Sequence, residues 1–264
     1  MIATSYFRAV LSIFAAVLLS GHVAFAAGTE SEIPVGTFGN GILSGWKVET
    51  VWNSRKTSYS LVKDNGKTVL MGKSVNAASA LIHKISLDPK LYPIVRWSWK
   101  IDHTISKGNE RTKAGHDFAA RIYVVFPRGL FTYRAIEYVW GNVMAKGEVL
   151  RSPYSNQAVM IAVDSGDEMA GKWMTHQRNY FDDYRTAFGE DPPKLGAIAL
   201  MTDSDNTGET AVGYFGDIDL LSGGKAEEHQ KEPLREVPVK PLNSVPESAA
   251  VKDRSVREPA LIQE

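Results

Sequence analysis

Between residues 36 and 222, apolar and polar positions alternate with a period of two. In "IVRWSWKID", Val95, Trp97, Trp99 and Ile101 share one face, while Arg96, Ser98 and Lys100 share the other. That is the signature of a strand buried on one side. "FAARIYVVF" sets Phe118, Ala120, Ile122, Val124 and Phe126 against Arg121, Tyr123 and Val125. "AIEYVWG" sets Ile136, Tyr138 and Trp140 against Glu137 and Val139, and "ASALIHKISL", "AVMIAVDSG", "GKWMTHQRNY", "LGAIALMT" and "TAVGYFGDIDL" extend the series. "SYSLVKDNGKTVLMGKSV" is two runs joined at Asn65-Gly66, a dipeptide that accepts the positive φ angles of a tight hairpin. About nine or ten short strands separated by turn residues predict an all-β chain, specifically a two-sheet antiparallel β-sandwich of jelly-roll type. One short helix is expected in "FDDYRTAFGEDPP", with Asp182 or Asp183 capping its start, Gly189 ending it and Pro192-Pro193 blocking continuation.

Both ends depart from this pattern. Arg8, the apolar run "AVLSIFAAVLL" and small residues at Ala24 and Ala26 read as a signal peptide over residues 1–26, giving a mature chain from Ala27. The run is too short to favour a spanning helix, which needs about 20 apolar residues. No transmembrane segment is expected in the mature chain, whose destination is the periplasm or the medium. The sandwich then occupies residues 27–222. Residues 223–264 lack aromatics, are rich in Pro, Glu and Lys and keep no apolar period, so a disordered tail is expected there.

Composition narrows the chemistry. Thirty Lys and Arg against thirty Asp and Glu leave no net charge to attract nucleic acid. The absence of Cys removes disulfides, thiolate catalysis and thiolate metal sites. No H-x-x-x-H pair suggests zinc, and no G-x-S-x-G elbow is present.

Four stretches carry a family resemblance: "WSWKID", "KAGHDFAARIYVVFPRG", "AIEYVWGN" and "RNYFDDYRTAFGEDPPKLGAIALMTDSDNTGETAVGYFGDIDL". Together they resemble the DUF3047 family of bacterial secreted proteins over most of residues 40 to 220. The resemblance implies a secreted β-sandwich and no particular chemistry. Two acids usually precede the Phe in that family, whereas this chain has His116-Asp117 there, so one carboxylate is missing.

Candidate site residues fall into three groups. In "DSDNTG", Asp203, Asp205, Asn206 and Thr207 offer clustered hard oxygens for calcium, the one cofactor considered. Tyr214 stands where an EF-hand would need its last Glu, and the flanks are strands, so the simpler reading is an Asx-turn connecting two neighbouring strands. Arg121 needs an acid: Glu137 is the cross-strand candidate, with Asp182, Asp183 and Asp217 as further ones. Its planar fork also suits a ligand carboxylate. Tyr123, Tyr138 and Trp140 join Arg121, Glu137, Asp182 and Asp183 as candidate ligand contacts, since aromatic faces beside polar groups suit sugar rings. If the chain is an enzyme, Asp117, Arg121, Tyr123, Glu137, His176 and Asp217 are the candidate catalytic groups, for glycoside hydrolysis or β-elimination. The leading expectation is a non-catalytic binder of a glycan or small envelope ligand. The alternatives are a polysaccharide-active hydrolase or lyase, and a structural or interaction module of the cell envelope.

Overall fold

The computed structural model describes residues 31–223 apart from positions 52, 130 and 131. The expected signal peptide (1–26) and all but the first residue of the expected tail lie outside the described residues.

Thirteen strands and one α-helix occur among the described residues. In chain order they are β1 (Glu32–Gly36), β2 (Trp46–Thr50), β3 (Ser58–Asp64), β4 (Lys67–Val75), β5 (Ser79–Leu87), β6 (Ile94–Ile101) and β7 (Arg121–Pro127). Then follow β8 (Tyr133–Gly141), β9 (Val149–Arg151), β10 (Ala158–Ser165), β11 (Met174–Asn179), helix α1 (Tyr180–Phe188), β12 (Leu195–Met201) and β13 (Thr210–Leu221). They form two packed sheets: six strands in the order β11-β6-β13-β4-β3 with β1 beside β13, and seven in the order β2-β5-β12-β7-β8-β10-β9. The chain is a β-sandwich, as its alternation predicts. Short edge strands such as β9 escape a count based on periodicity because three residues cannot display one.

All strand pairs are antiparallel except β8 with β10. The chain leaves β8 and runs through β9 beyond the place β10 will take. It then returns in the direction of β8, pairing with β9 as an antiparallel neighbour. Glu110, fully buried, holds the start of this detour by accepting the backbone N–H groups of Asn142, Val143 and Met144.

The sheets meet across a core in which Val95, Trp97, Trp99 and Ile101 of β6 are at most 1% exposed. Opposite them stand Ile122, Val124, Phe126, Ile136, Tyr138 and Trp140. Each such side chain contributes about 1.5–3 kcal/mol by leaving water. The outer face of the seven-stranded sheet is buried too. Ala80, Ile82, Tyr123, Val125, Ala135, Ala158, Ala197, Ala199 and Met201 form a second apolar cluster there. Every residue from Arg121 to Phe126 is therefore buried, where a strand half open to water was expected.

Local signals act as their chemistry demands. Asn65 (φ 48°) and Gly66 (φ 81°) turn the β3–β4 hairpin. Gly189 (φ 74°) ends α1, its N–H bonding to the Arg185 carbonyl. The helix start is a correction. Asn179, not Asp182 or Asp183, is the N-cap, and its side chain accepts from the Asp182 N–H. The two aspartates lie in the first turn, where their charge favours the positive end of the helix dipole.

A second correction concerns "DSDNTG". β12 and β13 are not neighbours in one sheet: β12 lies between β5 and β7, and β13 between β6 and β4. The connection crosses from one sheet to the other at the end of the sandwich. It can do so closely because β13 carries glycine at position 213, where a Cβ would sit 2.2 Å from the Ala119 carbonyl oxygen.

Candidate functional site

The crossing draws two segments together. The N–H of Asp203 donates to the Phe118 carbonyl at 3.0 Å, and the Phe118 N–H returns a bond to Asp203 Oδ1 at 3.4 Å. Asp117 accepts from the backbone N–H groups of Asn206 (3.2 Å) and Thr207 (2.6 Å). Asn142 steadies the same segment by donating to the Asp117 carbonyl at 2.8 Å. The loop after β12 is thus clasped to the segment before β7, which aims both sets of side chains at Arg121.

Arg121 lies on the outer side of the seven-stranded sheet, with its guanidinium between the rings of Phe118 (4.8 Å) and Tyr123 (5.2 Å). It donates to Asp203 at 2.8 Å and lies 3.6 Å from Glu137. It also contacts the sulfur of Met201 at 3.3 Å. The Arg121, Asp203 and Glu137 side chains are 4%, 2% and 0% exposed. Glu137 is a diagonal cross-strand neighbour, because Tyr123 is the residue directly opposite it. The Nε of Arg121 is buried and makes no hydrogen bond.

Acid exceeds base here. Carboxylate oxygens of Asp117, Asp203 and Asp205 lie within 4.8 Å of one another, beside one guanidinium that also faces Glu137. Burial pushes the Asp203 carboxyl well above the usual carboxylate range. Arg121 pulls it down, while Asp117 and Asp205 push it further up. Asp205 is raised by burial and then by Asp117. Burial opposes the charge on Arg121, but Asp203, Tyr123, Glu137 and Asp117 raise its pKa above the ordinary value and keep it a cation. The surplus negative charge must therefore be met by protons on the Asp203–Asp205 pair or by a cation. Asp117, Asp203 and Asp205 are the residues that could hold a hard cation such as calcium.

The rim is aromatic. His116 packs edge-on against Phe118 and Tyr154, with Nε2 buried and unbonded. Burial and then the charge of Arg121 hold its pKa well below the usual histidine value, so the ring is neutral near pH 7. Ser54 reaches Asp205 from the loop after β2.

Of the residues nominated from sequence, Asp117, Arg121, Tyr123, Glu137, Asp203 and Asp205 come together. Asn206 and Thr207 serve Asp117 through their backbones rather than as side-chain oxygen ligands. The Asn206 amide bonds the Tyr154 hydroxyl, and the Thr207 hydroxyl accepts from the Glu209 N–H. The remaining nominees stand apart from Arg121. Tyr138 and Trp140 belong to the core between the sheets, where Trp140 donates to the Gly166 carbonyl at 2.9 Å. Asp183 is claimed by Arg178 at 2.6 Å and by the Tyr138 hydroxyl at 2.6 Å. Asp182 bonds its own helix cap. His176 pairs with Asp164 at 2.6 Å beneath Trp97 and Trp99. Asp217 accepts from the Gly39 N–H at 2.7 Å. Phe118, Met201 and Tyr154 were not nominated, because an apolar row gives no sign that a ring will flank a cation.

A family described as "Protein of unknown function (DUF3047)" matches residues 44–219. No curated protein matches the chain in sequence. Among solved structures, the chain is similar to the family 30 carbohydrate-binding module of a cellulosomal cellulase from Clostridium thermocellum. Identity is 12% and TM-score 0.37, covering 73% of this chain and 98% of the module. It is also similar to a family 27 module of Caldicellulosiruptor saccharolyticus solved with mannohexaose, at 12% identity and TM-score 0.36, covering 72% and 96%. The enzymatically active domain of bacteriophage CBA120 tailspike protein 4 aligns at 10% identity and TM-score 0.41 over 72% of this chain. The chain spans only 21% of that tailspike chain.

Proposed function

The chain belongs to the DUF3047 family, whose description names no activity, and we propose from the site itself that it is an exported, non-catalytic binder of a glycan or a similar polyhydroxylated ligand. One observation carries this reading: a buried guanidinium, flanked by two aromatic rings, has an unbonded Nε and faces more carboxylates than it can neutralise. Sugar hydroxyls both donate and accept. They can give hydrogen bonds to Asp117, Asp203 or Asp205 and take one from Arg121 Nε. The C–H faces of a sugar ring suit the aromatic sides of Tyr123 and Tyr154. Because Arg121, Asp117 and Asp203 are buried, binding requires the segment around Ser54 or Tyr154 to move outward.

The test is a glycan array probed with the mature chain and with Arg121→Lys. Lysine keeps the charge but loses the planar fork. Specific glycan signals that fall about tenfold in the variant, with its melting temperature retained, support the reading. The absence of any glycan signal counts against it.

A further inference from the structure

A cleft opens at the far end of the seven-stranded sheet. It lies six residues along β7 from Arg121, about 20 Å away at roughly 3.3 Å per residue. Its volume is about 660 Å³, within the usual range of roughly 300–1,000 Å³ for small-molecule sites. Ile85, Pro127, Pro193 and Leu195 make its surface mostly apolar, and Lys84 and Lys194 stand at its edge.

Three features distinguish it from an ordinary surface hollow. The pairing of β12 with β5 slips here: Leu195 opposes Leu87 and Ala197 opposes Lys84, so Gly196 faces both Ile85 and Ser86. A bulge of this kind leaves backbone polar groups outside the ladder, at the cleft floor. Gly196 is also packed against Pro127, where a Cβ would lie 2.5 Å from the proline ring, so the floor is fixed rather than yielding. Finally, neither the Lys84 nor the Lys194 side chain forms an ion pair or a hydrogen bond among the described residues. The nearby acids are engaged elsewhere, Asp191 with Lys90 and Arg185, and Asp88 with the Lys90 N–H.

We propose that this cleft binds an acyl carboxylate, with Lys84 and Lys194 holding the head and Ile85, Pro127 and Pro193 contacting the chain. Two unpaired ammonium groups beside an apolar wall complement a ligand with one anionic end and an aliphatic body. A neutral lipid would leave the lysines unused. A compact anion would leave the wall unused. The proposal is independent of the glycan reading, since no residue is shared between the two sites.

Calorimetric titration of the mature chain tests it, with octanoate as the probe, octanol as the uncharged control and inorganic phosphate as the tailless one. Octanoate should bind saturably, about tenfold or more tightly than either control. Lys84→Gln with Lys194→Gln should weaken it about tenfold without changing the melting temperature, because both side chains are exposed. Pro193→Asp, which places a like charge in the cleft, should abolish it. Unsaturable octanoate binding, equal binding of octanol, competition by phosphate alone, or an undiminished double variant would each overturn the proposal.

Discussion

Arg121 and Asp203 form a 2.8 Å ion pair with side chains only 4% and 2% exposed. The pair joins the first residue of β7 to the loop that carries the chain from one sheet to the other. It therefore fastens the sheet crossing as well as the candidate site. Arg121→Ala should cost about 3–5 kcal/mol, because it removes the guanidinium from the buried Asp203 carboxylate. Chemical denaturation of the two proteins measures this. A loss under about 1 kcal/mol would mean that the pair is as weak as a surface one.

The acid cluster predicts an unusual pH response. Asp203 and Asp205 have folded pKa values above their ordinary value of 3.8. Above that value the folded protein binds more protons than the unfolded chain, so their contribution to stability falls as pH rises through the folded pKa. In the presence of chelator, wild-type should lose stability as pH rises above 3.8 relative to Asp203→Asn or Asp205→Asn. Parallel melting curves for wild-type and variants across that range would refute this charge assignment.

The same surplus charge predicts a calcium response with a matching pH dependence. At pH 8, calcium should raise the melting temperature steadily with the logarithm of its concentration, reflecting about 2.7 kcal/mol of added stability at one hundred times its Kd. As pH falls, proton occupancy of the raised carboxyls should blunt the effect. Asp205→Ala should remove it, and a rise that survives this substitution would place the ion elsewhere.

Close packing at the crossing predicts that Gly213→Ala destabilises the fold by about 1–3 kcal/mol, since its methyl group would overlap the backbone oxygen of Ala119. Thermal melting reads this out. A neutral result would show that the two sheets can separate locally without cost.

Much of the sandwich is legible in the sequence because its devices are local. The alternation of Val95, Trp97, Trp99 and Ile101 marks an inward face, and Asn65-Gly66 marks a hairpin. The continuous run "LGAIALM" fits a strand covered on both sides. The site is only partly legible. Glu137 is found from Arg121 by counting across one strand pair, whereas Asp203 arrives through a change of sheet that no local pattern encodes. Tyr138 and Trp140 already sat on the same face as Ile136, and that alternation was the better guide to their burial than their aromatic chemistry. Asp183 could not be separated from Arg121 in sequence, since only the packing of α1 reveals its nearer partners Arg178 and Tyr138.

The central claim is that the buried cluster of Arg121 and its carboxylates grips a hydroxylated ligand. Calorimetric titration of the strongest array glycan into wild-type, Arg121→Lys and Asp205→Asn proteins tests it most directly. The predicted result is one saturable site in wild-type, with the Kd weakened about tenfold or more in each variant while both remain folded. Equal Kd values in all three proteins would contradict the claim and place the ligand on another surface.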